Sequence, residues 1–186
     1  MDTITAIHTR QSVGEVRPDS IPQELIEKLL SAGSQAPNHY KVRPWRFFVL
    51  TGEGLTHLGD VLAKSLSLKA ENLSPEALDK ERAKPLRAPL IIAVAVDNPT
   101  EPKISELENI CAAAAACQNI LLAAHEMGLA TMWRTGPAAV DPVVKEFLGL
   151  AKDQHLLAFI YIGFPAKPPV APQRPDHADR TVWING

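Results

Sequence analysis

The run "LIIAVAVD", Leu90–Asp97, decides the fold. Leu90–Val96 is apolar throughout and rich in β-branched side chains, with no polar residue at every second position. A half-buried strand alternates; a continuous apolar run fits a strand covered on both faces. The expectation is a central strand inside a sheet that carries helices. Three further segments read as its neighbours: Arg46–Leu50 ("RFFVL"), Leu129–Thr135 ("LATMWRT") and Leu156–Gly163 ("LLAFIYIG"). Each has the aromatic and β-branched content of a pleated surface.

Helical patterns fill the intervals. Ile21–Gly33 places Leu25, Ile26, Leu29 and Leu30 on one face, with Ser20 as N-cap and Pro22 in the first turn. Leu55–Lys69 is amphipathic, and Leu73–Lys84 is short and highly charged. Ser105–Met127 is the longest, roughly 34 Å at ~1.5 Å per residue. Ser105 and Glu108 have capping-box spacing at its start, and Gly128 follows its end. Its unbroken run Ala112–Ala116 fits either a core helix driven by propensity or a close helix–helix approach at a dimer centre. Asp141–Leu148 is a short helix with Pro142 in its first turn. Neither a repeat nor a linker divides the chain, so residues 1–186 read as one domain, an α+β or α/β sandwich of helices on four or five strands. Residues 165–186 carry five prolines and form no helix or central strand. They read either as a solvated tail or as an extended arm whose tip, Val182, Trp183 and Ile184, docks on a second surface such as another subunit.

Composition narrows the function. The net charge of −2 gives no basic excess for nucleic acid or an anionic membrane surface. The longest apolar run, Ile110–Cys117, is too short to span a bilayer, and "MDTITAIHTR" lacks the basic region and apolar core of a secretory signal. A cytoplasmic chain is expected. Cys111 and Cys117 point about 120° apart on one helix, so they read as small core residues and not as a redox pair. Several motifs fail. "TGEG" would need its third glycine at His57, and "HEMGL" its second histidine at Leu129. The scattered histidines give no metal-site spacing, and nucleophile elbow and Walker loop are both missing.

Three polar clusters remain. "HTRQSV" offers Arg10, Gln11 and Ser12 after a short N-terminal helix. An arginine fork beside a hydroxyl suits a phosphate, although a solvated arginine has the same spacing. "APNHYKVRPW" sets Asn38, His39, Lys41 and Arg43 in a loop before a buried strand. "MWRTG" puts Trp133, Arg134 and Thr135 at a strand end, with Gly136-Pro137 turning the chain. A strand end is a favoured ligand position, and a plain β-turn is the other reading.

In order and spacing the clusters resemble the FMN-dependent nitroreductase family, especially its small single-domain members. The matching residues are Ile7, Arg10, Ser12 and Val13; Ala36, Pro37, His39, Pro44, Trp45, Phe47, Phe48 and Val49; and Gly128–Gly136, with "RAPLIIAV" between. The resemblance runs from about residue 4 to residue 165. It implies a three-layer α+β sandwich, a mostly antiparallel central sheet flanked by helices, in a homodimer with an extended C-terminal arm and FMN at the interface. It implies that Arg10, Gln11 and Ser12 contact the phosphate and ribityl end, joined from the same protomer by Trp133, Arg134 and Thr135. His39 and Arg43 would reach the flavin from the partner chain.

One departure stands out. Relatives often carry Asn-x-Gln where this chain has Lys41 and Arg43. Arginine removes an acceptor from the flavin ring edge and adds a fixed positive charge. The implied activity is ping-pong hydride transfer from NAD(P)H through FMN to a small electron-poor acceptor, a nitroaromatic or a quinone. It requires no covalent catalytic residue. A same-fold flavin enzyme of other chemistry (dehalogenation or flavin breakdown) and a non-enzymatic FMN-binding dimer remain as alternatives.

Overall fold

A computed structural model of the protein describes residues 1–170 and 172–185. Its elements in chain order are α1 (Thr3–Thr9), α2 (Gln23–Gly33), β1 (Trp45–Thr51), α3 (Glu53–Ser67), α4 (Pro75–Arg82), β2 (Leu90–Val96), α5 (Glu106–Glu126), β3 (Ala130–Arg134), α6 (Pro137–Val140), α7 (Pro142–Phe147) and β4 (His155–Gly163). The four strands form one sheet in the order β1-β2-β4-β3, with every ladder antiparallel. The one parallel pairing among the described residues is the single bridge from Ser12 to Thr131.

The all-apolar run does what its pattern predicts. Every residue of β2 is buried. Side chains alternate across a strand, so Leu90, Ile92 and Val94 pack with Leu29 of α2 and Cys117, Ile120 and Ala124 of α5. Ile91, Ala93 and Ala95 pack on the other face with Leu55 and Leu58 of α3 and Val144 of α7. The molecule is a three-layer α+β sandwich with a core on each side of the sheet. α5 has the length and apolarity of a membrane span, but much of it is buried here against the sheet and α2.

Four local expectations are corrected. α2 starts at Gln23, with Pro22 as its N-cap in extended backbone, while Ile21 is drawn into the core; Ser20 therefore caps nothing. Ser105 is the N-cap of α5, but its side chain makes no capping hydrogen bond. Gly136-Pro137 leads into the four-residue helix α6, where a turn was expected. Cys117 is buried and Cys111 exposed, because their angular offset on α5 turns one toward the sheet and the other away. Burial pushes the Cys117 thiol up to about 12, which suits an inert core residue.

After β4 the chain packs beside the segment that follows α1. The Arg17 amide donates to the Phe164 carbonyl (2.8 Å), and the Ala166 amide to that of Glu15 (3.1 Å). Beyond Ala166, among the described residues, the arm carries one short 3-10 turn at Ala178–Arg180. Its tip stays open to solvent, with Val182 86%, Trp183 78% and Ile184 94% exposed.

Candidate active site

Arg10 is positioned by the end of α1. Asp2 caps that helix, accepting from the Thr5 amide at 3.0 Å. At Arg10 the backbone turns extended (φ −58°, ψ 135°). The next residues then run along the outer edge of β3, where the Val13 amide donates to the Thr131 carbonyl at 2.9 Å. α1 is held on the end of α5 by a 2.8 Å hydrogen bond between Thr9 Oγ1 and His125 Nε2 and by the terminal amine on Glu126 (2.6 Å). His125 is thus a structural polar residue of the long helix.

These contacts enclose a cavity of about 140 Å³ whose lining includes Arg10, Gln11, Val13, His125, Thr131 and Pro169. Sequence reasoning missed one of its neighbours. Arg174, in the arm, donates to the Ile7 carbonyl at 3.3 Å and to that of Arg10, and the Gln11 side chain donates to the Val170 carbonyl. Partial burial, and then the charge of Arg174, push the Arg10 guanidinium below its ordinary value. The arginines that pair with carboxylates among the described residues are Arg17, Arg46, Arg82 and Arg180. Arg10 and Arg174 are two neighbouring cations without such a partner. That donor set, with the exposed Ser12 two residues along the chain from Arg10, matches a phosphate ester. The only sequence signal for Arg174 is an isolated arginine in a proline-rich stretch, and its partners lie more than 160 residues away.

At the end of β3 the strand divides the third cluster. Trp133 pairs with Ile160 and packs on the α5 face. Arg134 pairs with Phe159 on the α3 face, its Cζ 5.4 Å from the Tyr161 ring centroid. Thr135 lies just past the strand, exposed, followed by Gly136 at φ +75°. The Arg134 side chain is therefore across the sheet from Trp133, while the cavity beside Arg10 abuts the end of α5.

The loop before β1 is built by Asn38. Its side chain accepts from the Arg43 amide at 2.9 Å and donates to the Ala36 carbonyl at 3.3 Å. Within that clasp Tyr40, Lys41 and Arg43 all have positive φ, 50°, 56° and 51°. Left-handed backbone is unfavourable for such side chains, and strain of this kind gathers at functional sites. His39 Nδ1 lies 3.3 Å from Glu108 at the start of α5, with 65% of its side chain exposed. Lys103 lies over the Tyr40 ring at 5.2 Å.

The loop and the Arg10 cluster therefore sit at opposite ends of α5. Glu108, beside His39, and His125, beside Thr9, are about 26 Å apart along the axis at ~1.5 Å per residue. Within one chain Arg10, Gln11 and Ser12 lie along the start of β3, where Ser12 bridges Thr131, Trp133, Arg134 and Thr135 lie at and just past the strand's other end, and His39 and Arg43 stand a helix length from Arg10.

The pattern of one known family, the Nitroreductase family, matches residues 7–164. The YdjA protein of Escherichia coli (strain K12), which bears an NAD(P)H nitroreductase name, is 32% identical over 165 residues, 89% of each chain. A nitroreductase-like family protein from Bacillus cereus has the same fold, with TM-score 0.86 and 26% identity over 100% of this chain and 97% of that one. A nitroreductase from Desulfovibrio desulfuricans, solved in complex with FMN, aligns at TM-score 0.75 and 25% identity over 100% and 99% of the two chains. With its pattern matched across most of the chain and its fold shared with both solved proteins, this chain belongs to the Nitroreductase family of oxidoreductases.

Proposed function

We propose that the protein is an FMN-dependent oxidoreductase acting as a cytoplasmic homodimer, with each flavin site assembled from two chains. The observation that carries this reading is the pairing of Arg10 with Arg174 beside Ser12. Two guanidinia without carboxylate partners converge where a phosphate would neutralise them. A cavity of about 140 Å³ is well below the ~300–1,000 Å³ of pockets that enclose a cofactor-sized ligand. A second surface is needed, and the His39–Arg43 loop of a partner chain supplies one. The arm's apolar tip, uncovered within its own chain, also calls for a partner. A two-fold dimer answers both needs through one self-complementary interface.

In this reading Arg10, Arg174 and Ser12 bind the phosphate, and Gln11 orients the ribityl end while tying down the arm. Trp133 and Thr135 face the ring, to which Arg134 contributes main chain while its guanidinium turns to the opposite face. His39 and Arg43 of the other chain close the ring edge, with Arg43 supplying positive charge. Bound FMN supplies hydride relay, taken from NAD(P)H and, after exchange of the nicotinamide for an electron-poor nitroaromatic or quinone, passed on in ping-pong order. No side chain of this protein forms a covalent bond in the cycle.

The test is the absorption spectrum of the purified protein, which requires a flavin band near ~450 nm, together with NAD(P)H oxidation driven by a nitroaromatic. A colourless protein that takes up no added FMN refutes the proposal. A flavin-loaded protein that oxidises no nicotinamide points to the non-enzymatic alternative.

A further inference from the structure

The α3 face of the sheet carries a second groove, of about 530 Å³, within the range of small-molecule sites. Its walls include Leu62 and Leu66 of α3 and Phe159 and Tyr161 of β4, and four cations line it: Lys69, Lys84, Arg87 and Arg134. Two carboxylates in the lining neutralise the lysines, Asp141 with Lys69 and Glu81 with Lys84. Arg87 and Arg134 are left over, without a carboxylate partner among the described residues. Both act on the same phenol. Burial raises the Tyr161 hydroxyl above its ordinary value, and Arg134 and Arg87 oppose that rise. An apolar floor with two surplus guanidinia at one end is a mixed environment that neither a neutral hydrocarbon nor a bare inorganic anion satisfies.

We infer that this groove binds a small aromatic carboxylate, separately from the flavin cleft. The carboxylate takes the planar fork of Arg87, with Arg134 beside it. The ring packs on Phe159, Tyr161 and the leucines of α3. The register of β3 puts Trp133 on the α5 face and Arg134 on this one; Thr135, just past the strand, lines this groove too, so the two sites adjoin at the strand end. The site does not depend on the flavin assignment.

The test is calorimetric titration of the purified holoprotein with 2-naphthoate, with 2-naphthalenemethanol as neutral analogue and inorganic phosphate as bare anion. One naphthoate is expected per chain, with affinity that falls as salt rises. Both controls should bind at least about tenfold more weakly. Arg87 is exposed, so Arg87→Ala should fold, keep its flavin band and lose at least about tenfold in naphthoate affinity, one charge-assisted hydrogen bond. Leu66→Trp, which fills the groove, should abolish binding. The inference is overturned if wild type binds no naphthoate, if the neutral analogue binds as tightly, or if Arg87→Ala and Leu66→Trp both bind like wild type. Displacement of flavin by naphthoate also overturns it, since that places the ligand in the flavin cleft. Heat of binding is read without turnover, so this outcome stands apart from that of the flavin assignment.

Discussion

Mixing two defective chains should restore FMN binding that neither has alone. Arg10→Ala removes one of the two phosphate-side guanidinia, and His39→Ala/Arg43→Ala strips the loop about 26 Å away along α5. A hydrogen bond to a charged group contributes ~1.5–3 kcal/mol, and ~1.4 kcal/mol is a factor of ten. Arg174 remains beside the lesion, so Arg10→Ala should weaken FMN binding about ten- to hundredfold. If each site uses both chains, a mixed dimer has one site with both lesions and one with neither. Random reassembly makes half the dimers mixed, so about a quarter of all sites should recover wild-type affinity. Flavin fluorescence titration of the co-refolded mixture, at FMN concentrations between the wild-type and mutant dissociation constants, reads that fraction directly. If each site belongs to one chain, every mixed dimer carries two damaged sites. Occupancy equal to that of the two parents kept apart would refute the shared-site reasoning.

Arg10→Ala should leave riboflavin affinity nearly unchanged while weakening FMN; equal losses would move Arg10 away from the phosphate. Arg43→Gln should lower the flavin midpoint potential in a spectroelectrochemical titration, and an unchanged potential would remove the ring-edge charge from the account. Gly59→Ala should lower the melting temperature by up to about 8 °C, because its Cβ would run into the Arg82 carbonyl oxygen of α4. Overpacking costs ~1–3 kcal/mol and exceeds the ~1 kcal/mol gained in helix propensity, at ~2–4 °C per kcal/mol for this size. Gly54→Ala, whose Cβ would meet nothing nearer than 3.8 Å, is the control and should not destabilise. Asp141 is 3% exposed; burial alone would raise its carboxyl, but hydrogen bonds from Lys69, Ser65 and the Val143 amide outweigh it and hold it low. A depressed carboxylate contributes fully above its unfolded value of ~3.9 and loses the contribution as pH falls through the folded value. The stability gap between wild type and Asp141→Asn should therefore shrink below about pH 4, and a gap constant from neutral pH to acid would sink this reading.

The sequence by itself determined the elements and the layering. "LIIAVAVD" announces a strand covered on both faces, since burial is written into local periodicity, and that one strand requires helices on each side. The Arg10–Ser12 and Trp133–Thr135 clusters were legible because their residue types and order carry the family resemblance. Element ends were less legible: Ser20 lies two residues before the N-cap that Pro22 occupies, and Ser105 holds the N-cap position in extended backbone yet its side chain makes no capping hydrogen bond. What only the tertiary structure decided is which groups share a space. Arg174 joins Arg10 because the chain returns after β4, a long-range event with no local signature. Arg134 parts from Trp133 because neighbours on a strand face opposite sides, so adjacency in sequence becomes separation by the thickness of the sheet. His39 and Arg43 stand a helix length from Arg10 because α5 is rigid and spans the molecule. Local spacing fixes the faces of single elements, whereas a site is a convergence of several, and only the packing of those elements sets their distances.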